Sequence, residues 1–205
     1  MQWHDAVAAL GGEPGAWPRL EARYAEPHRR YHTLTHAAAV ARDSAWLAAD
    51  LGETDRAILA VAAWTHDVVY DAKPGEDERA SAAWAREALA GVAAAHVERV
   101  EGLILTTIGH DAPPDDLLAT ALLDADLAIL GASEEQYAGY ARGVREEYAK
   151  YPGDVWREGR IAVLERMLSR PLYRSETART RWASAAEKNL TAELTHWRRA
   201  RGDHR

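Results

Sequence analysis

Apolar residues recur along this chain at helical spacing, and no stretch alternates apolar and polar residues as a half-buried strand does. Val40, Ser44, Leu47 and Leu51 follow i, i+4, i+7, i+11 and predict one face of a helix from about Thr35 to Leu51. Ala93, Val97, Val100, Ile104 and Ile108 make a second stripe, and Ile161, Leu164 and Leu168 a third. Trp182, Ala186, Leu190, Leu194 and Trp197 make a longer one near the C-terminus. About a fifth of the chain is alanine, the strongest helix former. The pattern predicts an all-α fold.

Turn chemistry divides the helices. Gly11-Gly12-Glu13-Pro14 ends a first short helix and Pro27 a second. Asp71-Ala72-Lys73-Pro74-Gly75 separates a fourth helix, roughly Asp55 to Trp64, from a fifth. Pro113-Pro114 precedes a helix predicted to carry Asp115 and Asp116 in its first turn, where carboxylates favour the dipole. Gly131 to Gln136 reads as a stop followed by a capping box, and Asp154 can cap the next helix, which ends before Pro171. These signals predict a bundle of about eight or nine helices. No Ser/Gly-rich linker and no internal repeat interrupts it, so residues 1–205 are expected to form one domain.

Charge and cysteine usage narrow the chemistry. Cysteine is absent, which excludes disulfides, zinc fingers and thiolate catalysis. Lys and Arg number 25 against 32 Asp and Glu, a net charge of -7, a poor balance for binding a nucleic-acid polymer. The N-terminus has no basic region leading into an apolar run, and no apolar stretch reaches the length of about 18 residues that a membrane helix needs. A cytoplasmic protein with no membrane contact is expected. Nine histidines remain to be explained.

Three places combine histidine or aspartate with an inward face. His36 lies one turn before Val40, on the stripe of Val40, Ser44, Leu47 and Leu51. His66 continues the face of Leu59, Ala62 and Ala63 at the end of an apolar helix, and Asp67 beside it is costly to bury unless paired. Asp126 has Leu122, Leu123, Ile129 and Leu130 around it at i±3 and i±4. Asp124 has the weaker apolar setting of Thr120, Ala121, Leu127 and Ala128. An ionised Asp126 on a core face needs a cation, either a distant arginine or a metal. Two imidazoles and two carboxylates facing one core suit a divalent ion (manganese, iron, cobalt, zinc or magnesium).

Three blocks carry a family resemblance. Arg30-Tyr31-His32-Thr33-Leu34-Thr35-His36, then Thr65-His66-Asp67-Val68-Val69-Tyr70-Asp71, then Leu123-Asp124-Ala125-Asp126-Leu127-Ala128-Ile129-Leu130-Gly131, stand in the order of the HD-domain metal-dependent phosphohydrolases. The chain is similar to one predicted HD phosphohydrolase subfamily of comparable length. That similarity includes Tyr137 to Tyr148 and the Gly159-Arg160 stretch. It implies an all-helical HD-like fold with His36, His66, Asp67 and Asp126 as metal ligands. It also aligns Glu78 with an acidic position of the subfamily. His32 and His110 are additional candidates near the metal, and Arg30 and Lys73 flank the first two blocks.

The expected reaction is hydrolysis of a small phosphate ester, a nucleotide or related metabolite. Asp67 or Glu78 would orient or deprotonate the attacking water, and Arg30 would offset charge on the phosphoryl oxygens. Two alternatives differ in class. One is a di-iron oxygenase in which His32, His110 and Glu78 complete a second metal position. The other is a non-catalytic nucleotide- or metal-binding sensor, since Tyr70 stands where some HD phosphohydrolases carry an acid. The bundle could also pair as a homodimer.

Overall fold

A computed structural model describes residues 1–202. They form ten α-helices and one 3-10 turn, with no strand among them. The helices are α1 (Trp3–Ala9), α2 (Trp17–Tyr24), α3 (Leu34–Leu47), α4 (Glu53–Thr65), α5 (Glu76–Ala88), α6 (Ala94–Thr106), α7 (Leu117–Asp126), α8 (Glu134–Glu147), α9 (Gly153–Leu168) and α10 (Glu176–Gly202). The 3-10 turn spans Leu127–Gly131. The count exceeds the eight or nine expected. Helices α1 and α2, of 7 and 8 residues, are the two short ones that the turn signals at Gly11 and Pro27 mark.

Two compact units divide the chain, Met1–Asp126 and a second beginning at Leu127. In the first, α4 is the central rod. Every residue from Ala57 to Thr65 is buried, and α1, α3, α5, α6 and α7 all pack on it. A helix that is apolar all round belongs inside a core. The aromatic residues here use both ends. Trp3 is fully buried and donates its indole N–H to Pro14 O at 3.2 Å, while the Tyr24 hydroxyl donates to Trp64 O at 3.0 Å.

Three boundaries shift from expectation for local reasons. Helix α3 stops at Leu47, one turn early, because the chain turns through Ala48 to reach Gly52, the N-cap of α4. Helix α7 starts after both aspartates. Asp116 accepts the Ala119 N–H at 2.9 Å, so it caps the helix from outside. Its carboxylate also takes a fork from Arg99, with one arm at 2.8 Å. Helix α6 ends at Thr106, and Ile108, expected on its buried stripe, is 38% exposed.

In the second unit, Ser133 and Gln136 form the capping box expected at the start of α8. Trp182, Ala186, Leu190 and Leu194 are buried along α10 as their spacing predicts. The 3-10 turn lies against α10. Asn189 donates to Leu130 O at 2.8 Å and Ala132 O at 3.0 Å, and Tyr173 donates to Leu127 O at 3.0 Å. A Cβ on Gly131 would lie 2.5 Å from Trp182 Cβ and 2.7 Å from its carbonyl oxygen. Gly131→Ala must therefore push backbone against backbone. It is expected to cost about 2 kcal/mol, read as a lower midpoint in a thermal melt, and an unchanged midpoint would contradict the close packing.

A buried polar knot joins α8, α9 and α10. Arg160 is 5% exposed and donates from Nε and Nη2 to Glu193 at 2.7 and 2.9 Å. The Tyr137 hydroxyl and the Trp197 indole N–H donate to the same carboxylate. Burial alone would raise the Glu193 pKa, but the Arg160 contacts outweigh it and hold it below its ordinary value of 4.5. Burial and the Glu193 charge push the Tyr137 hydroxyl up.

Candidate metal centre

His36 and Asp126 enter the centre from α3 and the last residue of α7, and these two helices pack together. His66 caps the C-terminal end of α4, and Asp67 follows it. The packing of α3 and α7 on α4 brings the three segments to one point. One ligand-type atom from each of the four residues lies within 4.8 Å of the others. His36 Nε2 is 3.2 Å from His66 Nε2, 3.3 Å from Asp67 Oδ2 and 3.1 Å from Asp126 Oδ1. His66 Nε2 is 3.1 Å from Asp67 Oδ2 and 3.4 Å from Asp126 Oδ1. The other ring nitrogen of His66 donates to Ala63 O at 2.9 Å, which fixes the ring and leaves Nε2 as the ligand-type atom.

The electrostatics are those of a cation site. Burial opposes charge on both rings, but the Asp126 and Asp67 carboxylates outweigh it and raise the pKa of His36 and, more strongly, of His66. Burial would raise Asp67, yet the charge on His66 and the contacts from both rings hold it well below the usual carboxylate range. Asp126 is likewise held well down against burial by bonds from His110, His36 and His66. Protonated rings would balance the two anions, and a divalent cation would take the place of those protons. The borderline donor set of two imidazoles and two carboxylates fits such an ion. These four residues could hold a metal.

The remaining candidates take different positions. His110 has a left-handed backbone, φ 49°, which a non-glycine residue adopts at a cost of about 1 kcal/mol or more. That geometry brings its Nε2 to 2.9 Å from Asp126 Oδ2, the oxygen turned from the other two histidines. His32 stacks on Tyr70 at 4.0 Å and meets His36 edge-on at 5.6 Å. Glu78 lies outside the converging four and accepts the Gly75 N–H at 2.5 Å, closing the first turn of α5. Arg30 is exposed, and its guanidinium donates to Pro27 O at 2.6 Å and Arg29 O at 2.8 Å. Asp124 is fully buried whereas the Asp126 side chain is 14% exposed, the reverse of the burial order the helix faces suggest. Since every residue of α7 from Leu118 to Ala125 except Thr120 is buried, no single face of it can be read as the inward one.

Arg29, adjacent to the arginine that the sequence singles out, is the buried one. It donates to the carbonyls of His32, Asp67 and Val68. It lies in a turn, where no periodicity distinguishes an inward residue from its neighbour. The segment after Asp67 is held from all sides. Ser81 bonds both backbone groups of Val69, the His28 ring donates to Tyr70 O, and the buried Asp77 accepts the N–H groups of Asp71 and Lys73.

A helical domain that gathers two imidazoles and two carboxylates at one point has the donor set of a metal-binding domain. Residues 33–127 match the HD domain family, in line with the resemblance to the metal-dependent phosphohydrolases that the three sequence blocks carry. The match opens just before His36 and closes just after Asp126, so it takes in all four residues. No curated protein and no solved structure matches the chain. The family implies metal-dependent activity of the hydrolase type. Among the described residues no helix is long and apolar enough to cross a membrane.

Proposed function

We propose that this protein hydrolyses a small phosphate ester, a nucleotide or related metabolite, at a centre formed by His36, His66, Asp67 and Asp126. The convergence of four ligand-type atoms within 4.8 Å carries the reading. A divalent ion held by these residues supplies Lewis acidity that polarises a phosphoryl oxygen and makes water a competent nucleophile near neutral pH. The chain supplies the rest. Asp67 is the group that orients and deprotonates the attacking water, and Glu78 is the weaker candidate because the Gly75 N–H already engages it. His32 and His110, the rings beside the four, can hold a proton for the leaving group. Arg30, exposed beside the first block, offers a cation to the phosphoryl oxygens.

Elemental analysis of protein purified without chelator, combined with phosphate release from a panel of phosphomonoesters and nucleotides, tests this. One divalent ion per chain is expected, with turnover lost in EDTA and restored by manganese or cobalt. Metal at a hundredfold excess over its Kd should add about 2.7 kcal/mol to stability. In a chain of this size that raises the melting midpoint by roughly 5–11 °C. Two irons per chain and oxygen uptake would instead establish the di-iron oxygenase. Stabilisation by nucleotide without any product would establish a binding protein.

A further inference from the structure

We infer that Arg29 is a positioning residue for the metal centre, its buried guanidinium tying the segment that leads into His36 to the backbone of Asp67. The inference rests on the metal-centre reading above. Arg29 Nη1 donates both to His32 O and to Asp67 O, each at 2.8 Å, across 38 residues of sequence in the second case. Nη2 donates to Val68 O at 2.9 Å. One planar group therefore fixes three carbonyls that belong to the two blocks carrying His36, His66 and Asp67.

The surroundings lock the guanidinium itself. Its side chain is fully buried, with Tyr24 at 5.0 Å and Tyr70 at 5.8 Å from its central carbon. Tyr70 is also the ring that His32 stacks on. The nearest carboxylate, Glu26, meets Nε at 3.4 Å. A buried cation with one long carboxylate contact is costly unless its other donors are satisfied. Here they are satisfied by backbone carbonyls, two of which, Asp67 and Val68, lie just beyond the end of α4, where the helix dipole favours a positive charge. The residues that hold the loop farther on, Ser81 and Asp77, bond positions 69, 71 and 73; Arg23 Nε shares the Val68 carbonyl at 3.2 Å, and the Asp67 carbonyl accepts from Arg29. Lysine keeps the charge but concentrates its donors at one nitrogen, which cannot span three carbonyls in the plane of a fork.

The test compares native protein with Arg29→Lys and Arg29→Met. Cobalt(II) affinity is measured by calorimetry and coordination geometry by visible absorption. Circular dichroism and melting in EDTA report the metal-free fold. Outer contacts to metal ligands set affinity by about 10–100-fold, so Arg29→Lys is expected to bind cobalt about tenfold more weakly and Arg29→Met about a hundredfold. Both should show an altered cobalt spectrum, Arg29→Lys while keeping native helicity. If Arg29→Met fails to fold, Arg29→Lys alone decides. Affinity within about twofold of native and an unchanged cobalt spectrum in Arg29→Lys, whatever its melting midpoint, would overturn the inference and leave Arg29 a fold-stabilising residue only. A native chain that binds no cobalt would overturn the metal-centre reading itself, and this inference with it.

Discussion

Asp67→Ala is expected to lose metal-dependent phosphate release by roughly a thousandfold or more while remaining folded, the scale seen when a group stabilising transition-state charge is removed. The carboxylate meets both imidazoles, at 3.3 Å from His36 and 3.1 Å from His66. Its removal leaves one carboxylate in the four-residue set, so under the proposed function the cation would lose a ligand and the water its base together. The fold survives because of what histidine can do. With Asp67 gone, His66 and His36 can release their protons and sit neutral in the core, as an arginine cannot. Phosphate release, bound metal and helicity are the three measurements. Turnover within about tenfold of native would remove Asp67 from the reaction.

Glu193→Ala is the opposite case. Its partner Arg160 is 5% exposed and cannot shed its proton, so the variant buries an unpaired charge. Losing one member of such a pair costs about 3–5 kcal/mol. That converts to a drop of roughly 6–20 °C in melting midpoint for a chain of this length. The native carboxyl is held below its ordinary value of 4.5, so its contribution is complete above that value and is lost as the pH falls through the depressed one. Melting curves recorded as the pH is lowered should therefore converge for the native and variant proteins. A gap that stays constant into acid, or a midpoint shift below about 2 °C at neutral pH, would contradict the pairing.

The all-helical architecture was legible because burial imposes a period on a helix, and the four stripes kept it except at Ala93 and Ile108, the exposed ends of the second. The residues of the centre were legible for a different reason. His36 on the stripe of Val40 and Ser44, and His66 just after the apolar run from Ala57 to Trp64, are polar groups where burial demands a partner. Arg29 was hidden because a turn has no period and Arg30 stands next to it in a recognisable block. Asp124 was misjudged against Asp126 because the five residues from Ala121 to Ala125 are all buried and give no outward face to compare with. His110 could not be placed from sequence, since its ring reaches Asp126 through a left-handed backbone at a position where glycine or asparagine is the usual choice. The start of α7 was missed because aspartate serves equally well as a cap and as a first-turn residue.

Asp126 is the final residue of α7 and of the first compact unit, and Leu127 opens the next segment with no loop between them. This bears on how fragments of the protein can be made. A gene ending at the compactness boundary would turn Asp126 into a chain terminus. Its free α-carboxylate would add a negative charge beside a side chain that already balances three imidazoles. The last helical turn would fray with it. A minimal expression fragment of the first unit therefore has to run on through the 3-10 turn to Gly131, so that Asp126 remains an interior residue.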